Sequence, residues 1–559
     1  MNAFDYAVLF STMLGIAAFG IWRTRGRRDL STYLKGKGNT RWFVIGLSVM
    51  ATQASAITFL STPGQGYQDG LGFVQNYFGM PLALIVICIF FLPIYRKLNV
   101  YTAYEFLGRR FDSKTRLLGV ALFLLQRGLG AGITIYAPAI VLSAVFGWPL
   151  DLTILCSGIV VIVYTVSGGS DAVTLTQKYQ IGVIFLGMFA AFFLLIRKLP
   201  AGLSFSDALV VAGGMHRLKA VDFSTSLKPR YTFWSGTIGG FFLAMSYFGC
   251  DQSQVQRYIG GASLHESRLG LMFNAVFKIP MQLFILLLGV MLFVFYQFAQ
   301  PPIVFNESAW KGQVDPRVQT LQAQYDDNHQ RKQQAIEAWL NARREDNAAM
   351  ETDAYNQVQD LSVRGDQLHD QARKILYPNG ARTNEADYVF ITFILSQLPH
   401  GLIGLLVAAF FAAALSSKSA ELNSLASATT VDLYRHLIRR EATDAHYVAA
   451  SRWFTVFWGC VALSVALLAS LAENLIQATN ILGSVLYGVP LAIFLAGFFI
   501  RAIGGTAIFV AAIVSQIAVL AMYYELSISY LWYNLIGCVV CLLLGAMIQL
   551  LLPRSAGAK

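Results

Sequence analysis

Residues 412–439 read AAALSSKSAELNSLASATTVDLYRHLIR, an apolar run long enough to enter a bilayer that nevertheless carries Ser416, Ser417, Lys418, Glu421 and Asn423. Polar groups at that depth need partners, because hydrocarbon supplies no water. The local sequence leaves two readings open. Adjacent hydroxyls with nearby backbone carbonyls are hard oxygen ligands suited to a small alkali cation. Alternatively, Ser and Ala line a helix–helix contact and the serines bond back to carbonyls one turn earlier. Lys418 and Glu421, spaced i, i+3, can pair on one helix face and stay net neutral. Arg127, in LLQRGLGAG, is another cation at membrane depth; it is functional, pairs with Glu421, or snorkels.

The elements that must position these groups are membrane helices. Of 559 residues, 56% are hydrophobic and 13% charged, and the mean hydropathy is +0.54; a soluble domain carries about a quarter charged residues. The net charge of +11 does not mark a nucleic-acid binder. Arg23, Arg25, Arg27, Arg28, Lys35, Lys37 and Arg41 lie between two apolar spans, which is the positive-inside pattern. Apolar runs of spanning length fall at 6–22, 42–65, 73–95, 115–146, 152–166, 176–196, 233–250, 269–298, 401–436, 449–471, 474–500, 506–523 and 529–552. The fold class is therefore an all-α polytopic membrane protein with about 13 transmembrane helices.

An odd number of crossings puts the termini on opposite sides. With the N-terminus outside, the basic clusters at Arg96 and Lys97, Arg109 and Arg110, Arg435 to Arg440, and Arg554 all fall inside; Arg197 and Lys198 are exceptions. The first apolar segment lacks a basic leading region and a small-residue cleavage site, so it reads as a retained helix. Residues 299–386 are polar, with Leu321, Ile336, Leu340 and Leu361 at irregular helical spacing, and read as an external insertion that is a helical hairpin or partly disordered. Cys88, Cys156, Cys250, Cys460, Cys538 and Cys541 lie in or at the ends of apolar segments and read as packing residues.

Two spans mix Gly, Ser, Thr and Gln into hydrocarbon sequence: ATQASAITFLSTPGQG at 51–66 and GTIGGFFLAMSYFG at 236–249. Each opens a set of five spans, after one leading helix and before two trailing ones. Paired interrupted helices at corresponding places indicate an inverted-repeat transporter with its site at mid-membrane; the alternative is plain glycine-rich packing helices. The chain then divides into a leading helix at 1–28, a first repeat at 42–198, a second repeat at 231–500 interrupted by the insertion at 299–386, and two trailing helices with a short cytoplasmic tail at 501–559.

Four motifs occur together in order: the two serines followed by Asn423-Ser424 and Asp432-Leu433-Tyr434-Arg435, GGSDAVTLTQKYQ at 168–180, QVQRYIG at 254–260, and 483–501 with Gly488, Pro490, Gly497 and Arg501. In these the chain resembles the sodium/solute symporters, the family of sodium/glucose, proline, iodide and monocarboxylate carriers, over nearly its whole length apart from the insertion. The resemblance implies a five-plus-five, LeuT-like core and Na+ as the coupling ion. Carried over by position, the ion's ligands are the carbonyls of Ala51, Ala54 and Ala413 and the hydroxyls of Ser416 and Ser417. Two departures put the stoichiometry in question. Gln177 stands where relatives usually carry an aspartate that is associated in some with an additional ion, and Lys418 and Glu421 replace residues that are usually apolar.

By the same resemblance the solute sits beside the ion. Positions that bond sugar hydroxyls in relatives read Ile57, Thr58, Tyr77 and Ala244 here, whereas Lys278 and Gln477 match and Tyr247 falls at a gating aromatic. Arg127 and Lys278 together favour a small organic anion, a monocarboxylate or sugar acid, over a neutral sugar, polyol or amino acid. Gln53, Gln75 and Asn76 are polar contacts to the solute or else interhelical hydrogen bonds. The expectation is a sodium-coupled symporter of the plasma (inner) membrane, N-terminus outside and C-terminus cytoplasmic, whose partners are a small-molecule solute, the sodium ion and the lipid bilayer, with no nucleic acid. An enzyme finds no support, since the seven histidines are scattered and no phosphate loop or nucleophile elbow occurs. A transporter-like sensor would need a separate signalling partner, because only PRSAGAK follows Leu552.

Overall fold

The computed structural model describes residues 1–24, 40–98, 100–200, 202–306, 315–377, 385–468 and 474–552; within these, the side chains of 13–14, 16–24, 167–180 and 416 lie outside the description. Among the described residues the only strand-like pairing is one bridge between Thr40 and Gly261. Everything else that is regular is helical, as backbone that must satisfy its own hydrogen bonds in hydrocarbon requires.

In chain order the helices are α1 (Ala3–Thr24), α2 (Trp42–Gln53), α3 (Ala56–Asp69) and α4 (Met80–Val86, running on through Ile87–Phe91 and Leu92–Leu98). Then come α5 (Tyr104–Arg110), α6 (Ser113–Phe146), α7 (Leu150–Arg197), α8 (Phe205–Gly214), α9 (Gly240–Gly249), α10 (Gln252–Ile259) and α11 (Leu264–Phe298). The insertion supplies α12 (Pro316–Arg344) and α13 (Ala348–Leu376). The chain closes with α14 (Ala386–Gln397), α15 (Leu402–Ala428, continued by Thr429–Ile438), α16 (Asp444–Leu468), α17 (Leu475–Phe499), α18 (Gly505–Glu525) and α19 (Trp532–Leu551).

Eight of the described helices are long and apolar enough to cross a bilayer unaided. Others cross in pieces, and α7 is the most informative of them. Its backbone is helical over 48 residues, where the sequence reads as two spans. As a straight rod it would measure about 72 Å, more than twice the hydrocarbon thickness. Yet both ends lie on one face. Phe146, just before it, stacks on Tyr6 at 5.9 Å. Lys198, just after it, reaches Gln397 Oε1 at 3.3 Å, beside the His400–Gly401 corner that Asp5 holds at 2.8 and 2.6 Å. Its two apolar parts are Leu150–Val166 and Ile181–Arg197, each short of a full span by length. No proline lies in the polar stretch between them to force a helix end.

Two helices are broken. α2 and α3 part at Ala54 and Ser55, inside the 51–66 stretch. α9 and α10 part at Cys250 and Asp251, beyond the 236–249 stretch, which is continuous from a π-turn at Ser235–Gly239 into α9. The second interruption thus falls later than the glycine-rich sequence suggests. Those glycines serve close approach instead: a Cβ on Gly236 would sit 2.0 Å from Gln75 O, and one on Gly239 2.6 Å from Leu531 O.

The molecule has two distinct faces. The α1 end at Asp5 joins the start of α15 on one of them. On the other, Arg110 donates to Gly497 O and Ile500 O past the end of α17, and Gly504 N donates to Gln549 Oε1 near the end of α19 at 2.7 Å. The hairpin α12–α13 belongs to the first face. Its tip is tied to α8 by Arg344 and Asp207 at 2.8 Å and by Tyr355 Oη donating to Gly214 O at 2.9 Å. Its stem closes where Phe305 N donates to Glu385 Oε2 at 2.8 Å. All six cysteines are free thiols.

Candidate functional site: a cavity between the two helix breaks

A cavity of about 120 Å³ lies between the α2–α3 break, the turn before α4, and helices α6, α9, α15 and α17. Of the solute-binding residues expected from the sequence, Gln53, Thr58, Tyr77, Arg127 and Tyr247 line it, as does Asn76. Three others do not. The Gln75 amide is occupied by backbone: Nε2 donates to Gly72 O at 3.1 Å and Tyr231 O at 3.2 Å, and Oε1 accepts from Asp222 N at 2.9 Å. Gln477 Oε1 accepts from Arg230 at 2.8 Å. Lys278 is buried outside the wall, its Nζ 4.8 Å from the centroid of the Tyr77 ring in a cation–π contact. Tyr77 therefore stands between Lys278 and the cavity, and the two cations expected to share the solute do not share a wall.

Four buried polar atoms on wall residues have no hydrogen-bond partner: Gln53 Oε1, Gln126 Oε1, Arg127 Nη2 and Asn480 Nδ2. Buried polar groups are ordinarily paired, so these two acceptors and two donors set the wall residues apart from the rest of the buried polar side chains that line the cavity. Gln126 and Asn480 escaped the sequence reading because a lone amide in an apolar helix is as well explained by an interhelical hydrogen bond.

Beside the cavity is a closed set of charges. From α6, Arg127 Nε reaches Asp251 Oδ2 at 2.6 Å and Nη1 reaches Glu421 Oε1 at 3.2 Å. Glu421 Oε2 takes Lys418 Nζ at 2.6 Å and Thr134 Oγ1 at 3.3 Å, and Lys418 Nζ also donates to Thr134 Oγ1. Asp251 accepts further from Tyr487 Oη at 2.7 Å and Ser253 N at 2.8 Å. The guanidinium lies 5.1 Å from the Tyr247 ring centroid. Two cations thus face two carboxylates. The pairings Lys418–Glu421 and Arg127–Glu421, each read from the sequence on its own, occur together. Asp251 is the member the sequence hid, because an acid just past an apolar span looks ordinary. The one available signal was its N-cap position before α10, with a serine two residues on.

Of the residues expected to hold sodium, Ala51 and Ala54 lie at the first break, and Ala413 and Ser417 lie on α15, which packs against both α2 and α3. All four are buried. Ser417 Oγ donates to Ala414 O at 3.2 Å, which uses its hydrogen in back-bonding and leaves the oxygen as an acceptor. A helix break leaves carbonyls without intrahelical donors, and neutral oxygens of this kind fit an alkali ion. The side chains of Ser416 and Gln177 lie outside the described residues. Among the described residues no cluster of His, Cys, Asp and Glu is arranged to hold a metal.

Residues 33–314 and 377–544 match the model of the sodium:solute symporter family, which passes over the α12–α13 hairpin. Across 90% of its length the chain is 26% identical to the human sodium/iodide cotransporter, covering 66% of that protein. Across 49% it is 34% identical to human sodium-coupled monocarboxylate transporter 1, covering 45% of it. Across 99% it is 25% identical to the sodium/sialic acid symporter SiaT of Proteus mirabilis, covering 96% of it. The chain thus spans less than two thirds of the first two relatives and nearly all of the third. Its fold is that of a solved structure of a Na+-coupled sialic acid symporter in a substrate-bound outward-open state, with a TM-score of 0.76, 23% identity and 99% of both chains covered. With the match running on both sides of the hairpin and the fold shared from end to end, the chain belongs to the sodium:solute symporter family.

Proposed function

We propose that this protein is a sodium-coupled symporter of a small organic solute, with an organic anion such as a monocarboxylate or sugar acid as the first choice. The observation that carries the reading is the set of unpaired polar atoms in the cavity wall. A carboxylate fits Arg127 Nη2 and Asn480 Nδ2, and hydroxyl or amino hydrogens fit Gln53 Oε1 and Gln126 Oε1. On the measure by which one water takes roughly 10–15 Å³, the cavity admits on the order of ten non-hydrogen atoms. That is the size of a short carboxylate. Relatives named for monocarboxylate and sialic acid, both carboxylates, support the same class.

Sodium is held by the carbonyls of Ala51, Ala54 and Ala413 and the hydroxyls of Ser416 and Ser417. The cavity reaches the same break through Thr52, Gln53 and Ser55, so ion and solute share one discontinuity. Sodium arriving from outside holds α2 and α3 against α15 and completes the cavity. Closure on the outer side and opening on the inner side then release both, driven by the ion's differential affinity for the two states. The face bearing the N-terminus and the hairpin is the outer one, and the Arg- and Lys-rich opposite face is cytoplasmic, in the plasma (inner) membrane.

The charge balance favours a second reading. Asp251 and Glu421 already neutralise Arg127 and Lys418, so a neutral polyol or amino acid enters without adding charge to the membrane interior. Uptake into proteoliposomes under a sodium gradient, with a panel of monocarboxylates, sugar acids, polyols and amino acids, tests both. Sodium-driven uptake lost in the Ser416→Ala/Ser417→Ala protein supports the symport reading; uptake indifferent to that change, or driven equally by protons alone, overturns it. Inhibition by a carboxylate but not by its amide selects the anion.

A further inference from the structure

We infer that the Lys418 ammonium is a tethered cation filling a second cation position beside the cavity, so that the protein binds one sodium ion and not two. The inference rests on the symport reading above and adds its stoichiometry.

Lys418 is buried, follows Ser417 directly, and places Nζ 2.6 Å from Glu421 Oε2 and in contact with Thr134 Oγ1. Thr134 Oγ1 is itself 3.3 Å from the same carboxylate oxygen. A carboxylate beside a hydroxyl is a hard oxygen pair of the kind a small cation takes. Thr134 and Glu421 line the cavity and Lys418 does not, so the ammonium plugs the pair from the side away from the solute.

The charge count decides what can be added there. Asp251 is held by Arg127, and Glu421 is shared between Arg127 and Lys418. The cluster is neutral as it stands, and a sodium ion joining Glu421 would lie directly beside the Lys418 ammonium and the Arg127 guanidinium, whose like charges repel it. Removing the ammonium reverses the sign. The Glu421–Thr134 pair is then negative, carries oxygen ligands, and opens to the cavity from which an ion can enter. Unlike a bound ion, the ammonium cannot leave with the solute, so it balances Glu421 without contributing to the ion flux.

Equilibrium binding of ²²Na⁺ to the purified full-length protein tests this. The unaltered protein is expected to bind one sodium per chain, Lys418→Met two, and Lys418→Met/Glu421→Gln one. In Lys418→Ala, methylammonium is expected to displace one of the two ions, whereas in the unaltered protein it displaces none; this arm serves where Lys418→Met fails to fold. Two ions on the unaltered protein, or one on a folded Lys418→Met or Lys418→Ala, overturns the inference. If the unaltered protein binds no sodium at all, the symport reading fails instead.

Discussion

The two helix breaks occupy corresponding places and are filled in opposite ways. At Ala54 and Ser55 nothing is charged, and the neighbouring Gln53 keeps an acceptor unpaired. At Cys250 and Asp251 a buried carboxylate is saturated by Arg127, Tyr487 and the backbone of Ser253. A charge at membrane depth persists only with partners, so the second break is occupied by the protein's own charged groups, whereas the first carries no side-chain charge. Repetition of the backbone therefore does not repeat the chemistry. Both breaks free polar backbone groups, and the side chains decide which of them a ligand can reach.

The comparison breaks most severely at Asp251. Asp251→Ala leaves the Arg127 guanidinium buried without its closest carboxylate, and removal of one partner from a buried ion pair costs about 3–5 kcal/mol. The melting temperature of the purified protein should fall accordingly, and an unchanged value would show that the second break is not held this way. A control of the next size lies in the hairpin, on neither break. Burial, and secondarily Lys332, holds the His329 imidazole down to about 4. The folded hairpin prefers the neutral ring, so its stability is complete above the ordinary histidine value of about 6.5 and is lost as pH falls from there towards 4, by about 2–3 kcal/mol in all. Hydrogen exchange of α12 and α13 should accelerate over that window, and His329→Leu should remove the pH dependence without altering sodium binding.

Smaller effects sharpen the contrast. Ser417→Ala should weaken sodium binding about tenfold, or about 1.4 kcal/mol, while leaving the sodium-free melting temperature in place; a fall in that temperature instead would make the hydroxyl a packing group. Tyr487→Phe removes one of the donors to Asp251 and should cost about 1 kcal/mol. If it weakens sodium binding as much as Ser417→Ala does, the two breaks are not chemically separate.

Much of this was legible in the sequence, for physical reasons that also mark where legibility ended. Ser417 and the Lys418–Glu421 pair stood out because polar groups in a long apolar run demand partners, and Arg127 stood out for the same reason. The first break was legible because 51–66 mixes polarity with small size. The second was misplaced, since glycines at 236–249 serve backbone contact with Gln75 and Leu531 and the break itself carries no glycine at Cys250 or Asp251. The places of Gln75 and Gln477 were not legible, because an amide's polarity is visible in a sequence but its partners, here Tyr231 O and Arg230, come from residues far along the chain.

The hairpin leaves and re-enters the body at Phe305 and Glu385, which one hydrogen bond of 2.8 Å holds together, and the family match omits 315–376. Ends that meet this closely make the segment modular. A lineage can gain, lose or exchange such an accessory with few compensating changes elsewhere. For the experimentalist the same stem is a docking port: a rigid protein or an epitope grafted across it would give cryo-microscopy a landmark projecting from an otherwise featureless membrane particle.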